Sequence, residues 1–195
     1  MDSEFDVVVG TRRRIRRSAP SYTRRYDHVD PMGAWALADE SSEPVSDDVL
    51  SVIPTDPLWQ PDRPAGDRTA ALVADLIDDD EVDIDVSWHE AITVVDCGEN
   101  LERIGCPHCG GSIDTAWWGD LLETHVADGF TTLAAKVPCC GADSSLDGLD
   151  FDWPCGFARF EIAVWNPGRG SFTDEELVRL ANALGHPVRQ VRAHI

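Results

Sequence analysis

The sequence predicts an α+β domain: a split βαβ sheet whose two strand–helix–strand halves are separated by an inserted, cysteine-bearing module. Three observations lead there. Val82-Asp83-Ile84-Asp85-Val86-Ser87-Trp88 alternates apolar and polar residues without a break, as a strand with one wet face does. Phe160, Ile162 and Val164 repeat that alternation near the C-terminus and lead into a helix whose start and stop are both spelled out. Between them stand Cys106-Pro107-His108-Cys109-Gly110 and Cys139-Cys140-Gly141, whose chemistry the residue types name directly.

Taken in order, residues 1–49 show little apolar periodicity and are expected to be a disordered or loosely attached extension. Its arginine run, Thr11 to Arg17, is spelled like a twin-arginine export signal, but Ser18 to Asp30 is polar where an apolar core would stand. Residues 50–195 are expected to form a single α+β domain, with the insert at about 97–155. Ser51 to Ile53 is a short candidate strand, and Pro54, Pro57, Pro61 and Pro64 mark a turn-rich run to Gly66. Asp67 is placed to cap a helix to about Ile77, with Leu72, Val73, Leu76 and Ile77 on one face, and the acids Asp78 to Glu81 oppose its continuation. Ile92 to Val95 either continues the Val82–Trp88 strand or pairs with it.

Within the insert, Asp114 can cap a helix to about Asp128. Trp118, Leu121, Leu122 and His125 form its stripe, and Gly129 is its stop. Phe130 to Val137 reads as a strand that delivers Cys139 and Cys140. Asn166 to Gly170 is a turn. Thr173-Asp174-Glu175-Glu176 has capping-box spacing, Leu177, Leu180, Ala181 and Leu184 make a buried face, and Gly185 with Pro187 ends the helix. Val188 to Ile195 is the last strand. The order strand, helix, strand, insert, strand, helix, strand is that of a ferredoxin-like sheet. In that topology the second and third strands are antiparallel neighbours, so Cys97 and Cys155 flank the root of the insert.

A Cys-x-x-Cys turn holds two sulfurs at one edge of a tetrahedron, and a second cysteine pair supplies the other two, so Cys106, Cys109, Cys139 and Cys140 are the candidate metal ligands. Zinc is the expected ion, because it is borderline-soft and indifferent to geometry beyond four ligands. The other reading of the spacing is a pair of reduced surface thiols. Cys139 and Cys140 are adjacent, so both reach one ion only if a turn intervenes, which Pro138 and Gly141 make possible. Should only one do so, Cys155, Cys97, His108 and His125 are the substitutes, in that order.

Cys106 to Gly110 matches in full the Cys-Pro-x-Cys-Gly knuckle of zinc-ribbon and rubredoxin-type proteins, which the insert therefore resembles. The chain also resembles a set of bacterial proteins of unknown function in which Cys-Pro-x-Cys-Gly, Cys-Cys-Gly and a segment like Pro154 to Phe160 recur together. That resemblance implies one continuous unit from about Ser51 to Ile195 and supplies no activity.

Charge narrows the function. The 195 residues carry a net charge of −20, and residues 1–28 hold seven arginines against four acids, which leaves −23 on the remainder. Such a body repels phosphate backbones, so nucleic acid is disfavoured as a partner and a protein is expected; the acidic surface reads either as a solubility feature of an Asp-rich, Lys-poor composition or as the complement of a basic partner. No run is apolar enough for a membrane span, and cysteines at metal-ligand spacing point to a reducing, cytoplasmic setting. Neither a hydrolytic zinc motif nor a phosphate-binding glycine loop nor a nucleophile elbow is found. The expectation is therefore an acidic cytoplasmic protein with a structural zinc, acting as a non-catalytic protein-interaction module. The alternatives are a zinc- or thiol-dependent enzyme and a nucleic-acid-binding ribbon. Trp117, which cannot share the core face of its helix with Trp118, is the candidate partner-facing anchor or a further packing residue.

Overall fold

A computed structural model describes residues 11–15, 47–77, 82–95, 98, 101–125 and 128–195. These residues form a mixed α/β structure with antiparallel sheets and three α-helices. The main sheet comprises β1 (Thr11–Ile15), β2 (Asp48–Pro54), β3 (Asp83–Val95), β9 (Gly156–Trp165) and β10 (Val188–His194), in the order β1-β3-β9-β2-β10. Each neighbouring pair is antiparallel.

Helices α1 (Arg63–Leu76) and α3 (Asp174–Leu184) cover one face of this sheet. The alternation that marks β3 and β9 in the sequence explains why: Ile84, Val86, Phe160, Ile162 and Val164 all project into one core with Leu50, Val52, Val73, Leu180 and Leu184. Gly66 sits where α1 meets that core, and an added Cβ there would run into the Trp88 and Phe160 rings. On the opposite face, the Ser51 hydroxyl donates to Glu161 Oε1 at 2.6 Å and the Trp165 indole donates to Asp85 Oδ2 at 3.0 Å. Asp85 is buried, so the face expected to be wet along β3 is closed at that position.

Both helices begin and end for local reasons. The Thr173 hydroxyl accepts from the Glu176 amide at 3.2 Å and the Glu176 carboxylate accepts from the Thr173 amide at 2.7 Å, so the capping box forms, and Gly185 closes α3 with φ +85°. Arg169 grips the same carboxylate with two bonds of 2.6 and 3.1 Å. For α1 the expected cap is corrected. Asp62, rather than Asp67, accepts from the Ala65 amide at 2.7 Å, because Pro64 lies in the first turn, where a helix does not need its amide. The expected stop at Asp78 to Glu81 lies outside the described residues.

Thr11–Ile15, within the run expected to be loosely attached, pairs with β3 from Trp88 to Ile84 as an edge strand, and β2 starts earlier than the Ser51–Ile53 nucleus. Ile92 to Val95 continues β3, with the register shifting between Trp88 and Thr93. Within that irregular stretch Ile92 and Phe130 exchange backbone hydrogen bonds of 3.3 and 2.7 Å, which tie the sheet to the segment between its halves. The outer edge of β10 is partly covered, since the Trp153 indole donates to the Arg192 carbonyl at 2.8 Å and Gly98 bridges His194.

That segment carries β4 (Ile104–Gly105), β5 (Ser112–Ile113), α2 (Thr115–His125), β6 (Ala134–Lys136), β7 (Asp143–Ser145), a 3-10 turn (Leu146–Gly148) and β8 (Asp150–Phe151). The strand expected over Phe130 to Val137 is shorter than that: Phe130 bridges Ile92, and regular pairing starts at Ala134. Asp114 caps α2 through a 2.9 Å bond from the Ala116 amide, and the Gly129 amide donates to the His125 carbonyl at its end. A second core forms here from Ile104, Ile113, Trp118, Phe130, Leu146 and Phe157 among others, with Trp118 edge-on to both Phe151 and Phe157. No helix among the described residues is long and apolar enough to cross a membrane.

Candidate metal centre

Each cysteine pair lies at the tip of a hairpin, the first within the three-stranded sheet β5-β4-β8 and the second forming the two-stranded sheet β6-β7, and the two tips are built alike. In the first, β4 pairs β5 with Ile104 opposite Ile113 and Gly105 opposite Ser112; in the second, β6 pairs β7 with Ala135 opposite Ser144 and Lys136 opposite Asp143. At the first tip, the Cys106 amide donates to the Gly111 carbonyl and the Gly110 amide donates back to the Cys106 carbonyl, both at 2.9 Å. At the second, the Val137 amide donates to Ala142 and the Gly141 amide to Val137, again both at 2.9 Å. Gly110 and Gly141 complete the match with φ of +68° and +71°, a conformation glycine adopts without a Cβ penalty.

Position by position, Cys106-Pro107-His108-Cys109-Gly110 corresponds to Val137-Pro138-Cys139-Cys140-Gly141. Cys140 therefore occupies the place of Cys109, Val137 that of Cys106 and Cys139 that of His108. The shared Pro-x-Cys-Gly is the sequence signal for this equivalence. Counting only Cys-x-x-Cys hides it, because a valine fills the first position of the second turn. The turn that adjacent cysteines need in order to face one point is present over residues 138–140.

The tips meet so that the sulfurs of Cys106, Cys109, Cys139 and Cys140 all lie within 4.8 Å of one another. Across the tips, Cys106 Sγ stands 3.8 Å from Cys140 Sγ and Cys109 Sγ stands 3.6 Å from Cys139 Sγ. A zinc–sulfur bond of about 2.3 Å implies a tetrahedral edge of about 3.8 Å, so the sulfurs are spaced to share one ion. The separations exceed the ~2.05 Å of a disulfide, and none of the described cysteines forms one. Four soft thiolates fit zinc and leave no harder donor to favour magnesium or calcium.

The sulfurs differ in their surroundings. Cys106 is buried in the second core, whereas Cys109, Cys139 and Cys140 are exposed. The Cys109 and His108 amides draw the Cys106 thiol down to about 6, against the desolvation that raises it. Cys139 is pushed up to about 12, by desolvation first and then by its Cys109 and Cys106 neighbours. At Cys140 the Ala142 amide lowers the pKa, but desolvation and the Cys106 and Cys109 thiols outweigh it and leave the thiol raised. The Gly111 amide donates to Cys109 Sγ at 3.4 Å.

The substitutes stand apart. Cys155 is buried at the base of the segment with its thiol 3.6 Å from the Val95 carbonyl, consistent with the expected flanking position where Val95 opposes Gly156. Its own carbonyl accepts from the Arg189 guanidinium at 2.9 Å. Cys97 lies outside the described residues. His108 is exposed on the first tip and outside the four-sulfur group. His125 stacks on Phe130 with ring centroids 4.4 Å apart and bonds the Leu121 carbonyl through Nδ1, so it packs rather than ligates. Trp117 is partly buried against the second core.

In comparisons with known proteins, the chain matches no family model, no curated protein and no solved structure.

Proposed function

We propose that Cys106, Cys109, Cys139 and Cys140 hold one structural zinc ion and that the chain is a non-catalytic protein-interaction module organised around it. The observation that carries this is the sulfur spacing: cross-tip separations of 3.6 and 3.8 Å on two matched hairpins. An ion there cross-links two hairpins that share a core but no ladder, and so contributes directly to folding. The matched tips support a zinc-ribbon reading of the segment. The order β3-β9-β2-β10 supports the ferredoxin-like reading of the sheet, with the ribbon inserted between its halves.

The partner is inferred from charge. Asp114, Asp120, Glu123, Asp143, Asp147 and Asp150 are exposed around the ribbon, against Arg103 and Lys136, and the chain as a whole carries −20. A basic protein complements that surface; a nucleic-acid backbone does not. Zinc-bound thiolates, and the unoxidised thiol of Cys155, suit a reducing compartment, the cytoplasm.

Elemental analysis of the purified chain tests the metal: about one zinc per chain is expected from a closed four-cysteine site. No metal, or iron in its place, overturns the zinc assignment. Pull-down at physiological salt tests the partner. A basic protein whose retention falls as salt rises supports the interaction role, and co-purifying RNA or DNA refutes it.

A further inference from the structure

Clustered thiols can also bond to one another, and their placement selects which pair does so. Among the described residues the sulfurs of this cluster make two hydrogen-bonding contacts, Cys109 Sγ with Cys139 Sγ at 3.6 Å and Cys106 Sγ with Cys140 Sγ at 3.8 Å. Both contacts run between the hairpins and neither lies within one. Cys109, Cys139 and Cys140 are exposed and Cys106 is buried, so only the first contact has both sulfurs at the surface. The adjacent Cys139 and Cys140 are poorly placed to bond to each other. Their Cα atoms stand about 3.8 Å apart across a trans peptide, short of the roughly 4.4 Å at which disulfides begin. The tips around the first pair are open: Pro138, Gly110 and Gly141 are exposed, and a Cβ added at either glycine would meet nothing within 4 Å. A small oxidant in solvent therefore reaches Cys109 and Cys139 together.

We propose that Cys109 and Cys139 are a redox modification site, the pair that closes into a cross-tip disulfide when a peroxide reaches the tips. Release of the ion by this step rests on the zinc reading above, while the pairing rests on the thiol positions alone. One of the two thiolates attacks a peroxide oxygen. The O–O bond breaks, hydroxide leaves and takes up a proton, and the sulfur becomes a sulfenic acid. The other thiolate attacks that sulfur, the S–S bond forms, the S–O bond breaks, and a second hydroxide leaves and is protonated to water. Together the sulfurs lose an electron pair, which the peroxide gains. Thiolate is the form that ligates a metal, so the ion keeps only Cys106 and Cys140 and departs. The hairpins stay joined, because the new bond spans the gap that the ion spanned.

The test uses the full chain, purified under reductant that is then removed. Zinc is quantified first, limiting hydrogen peroxide is added, and a chromogenic chelator follows zinc release while unreacted thiols are blocked at intervals. Trypsin cuts after Arg103, Lys136 and Arg159, so Cys106 and Cys109 fall in the peptide of residues 104–136 and Cys139, Cys140 and Cys155 in that of residues 137–159. A cross-tip disulfide joins these two peptides and a bond within one tip does not. The first disulfide to accumulate should join them, with fragment ions placing it at Cys109 and Cys139, and about one zinc should be lost for each disulfide formed. A first disulfide at any other pair, or thiols oxidised to sulfinic acid with no disulfide, refutes this inference and leaves the zinc reading standing. A chain that holds no zinc at the first step yet forms the Cys109–Cys139 bond overturns the zinc reading and keeps the pairing. A chain that does neither overturns both.

Discussion

Val137 occupies in the second hairpin tip the place that Cys106 occupies in the first. Both are buried, and each donates its amide to the residue five places on and accepts from the amide four places on. The second tip thus has the backbone of a knuckle with its first cysteine at position 139 in place of 137. A sulfur placed at position 137 should reach the proposed ion from the second tip in the way that Cys106 does from the first. Cys139→Ser is expected to lower zinc affinity by at least the roughly 10–100-fold that loss of an outer-shell partner alone carries. Val137→Cys combined with Cys139→Ser should recover most of it. Competition titration against a chelator of known affinity checks both, and an unrescued double variant would show that the tips are not interchangeable.

Zinc uptake should release protons. Cys139 is held at about 12 and Cys140 is raised, so in the metal-free chain at neutral pH the ion must displace their protons, whereas Cys106, at about 6, is already deprotonated. Affinity is therefore expected to rise with pH through the neutral range and to fall in acid, by about tenfold per pH unit for each proton displaced. Calorimetry in buffers of different ionisation enthalpy counts the protons. A pH-independent affinity would contradict thiolate ligation.

The capping box sets an acid limit on the sheet domain. The Arg169 side chain, and after it the Thr173 amide, hold Glu176 at about 2 instead of its ordinary 4.5. A depressed carboxylate pKa adds stability that is complete above 4.5 and is lost as the pH falls toward 2. Glu176→Gln should destabilise the chain at neutral pH and flatten that part of the acid limb. Thr173→Ala should cost about 1 kcal/mol by urea denaturation.

The second core should bear on the metal site. Trp118 packs edge-on to Phe151 and Phe157, in the same cluster as Cys106 and Val137. Trp118→Ala is expected to cost about 3–5 kcal/mol and to weaken zinc binding with it. Trp117→Ala, at a partly buried position on the same helix, should cost clearly less. Denaturation curves with and without zinc separate the effects, and a Trp118→Ala chain that binds zinc as tightly as before would show the core and the site to be independent.

The sequence by itself determined whatever is decided within a few residues. The capping box of Thr173 and Glu176, the left-handed stop at Gly185 and the first knuckle all rest on bonds between near neighbours, so spelling is enough. It also determined that four thiols were available at metal-ligand spacing. The tertiary structure decided what depends on distant chain. Arg12 to Arg14 lack apolar alternation and pair only because β3 offers a free edge. The convergence of Cys139 and Cys140 on the first knuckle was the largest such decision. It needs two hairpins from separate segments to rest on one core, with buried Val137 fixing the second tip there. A hydrophobic contact of that kind carries no sequence spacing of its own, and only the folded chain reveals it.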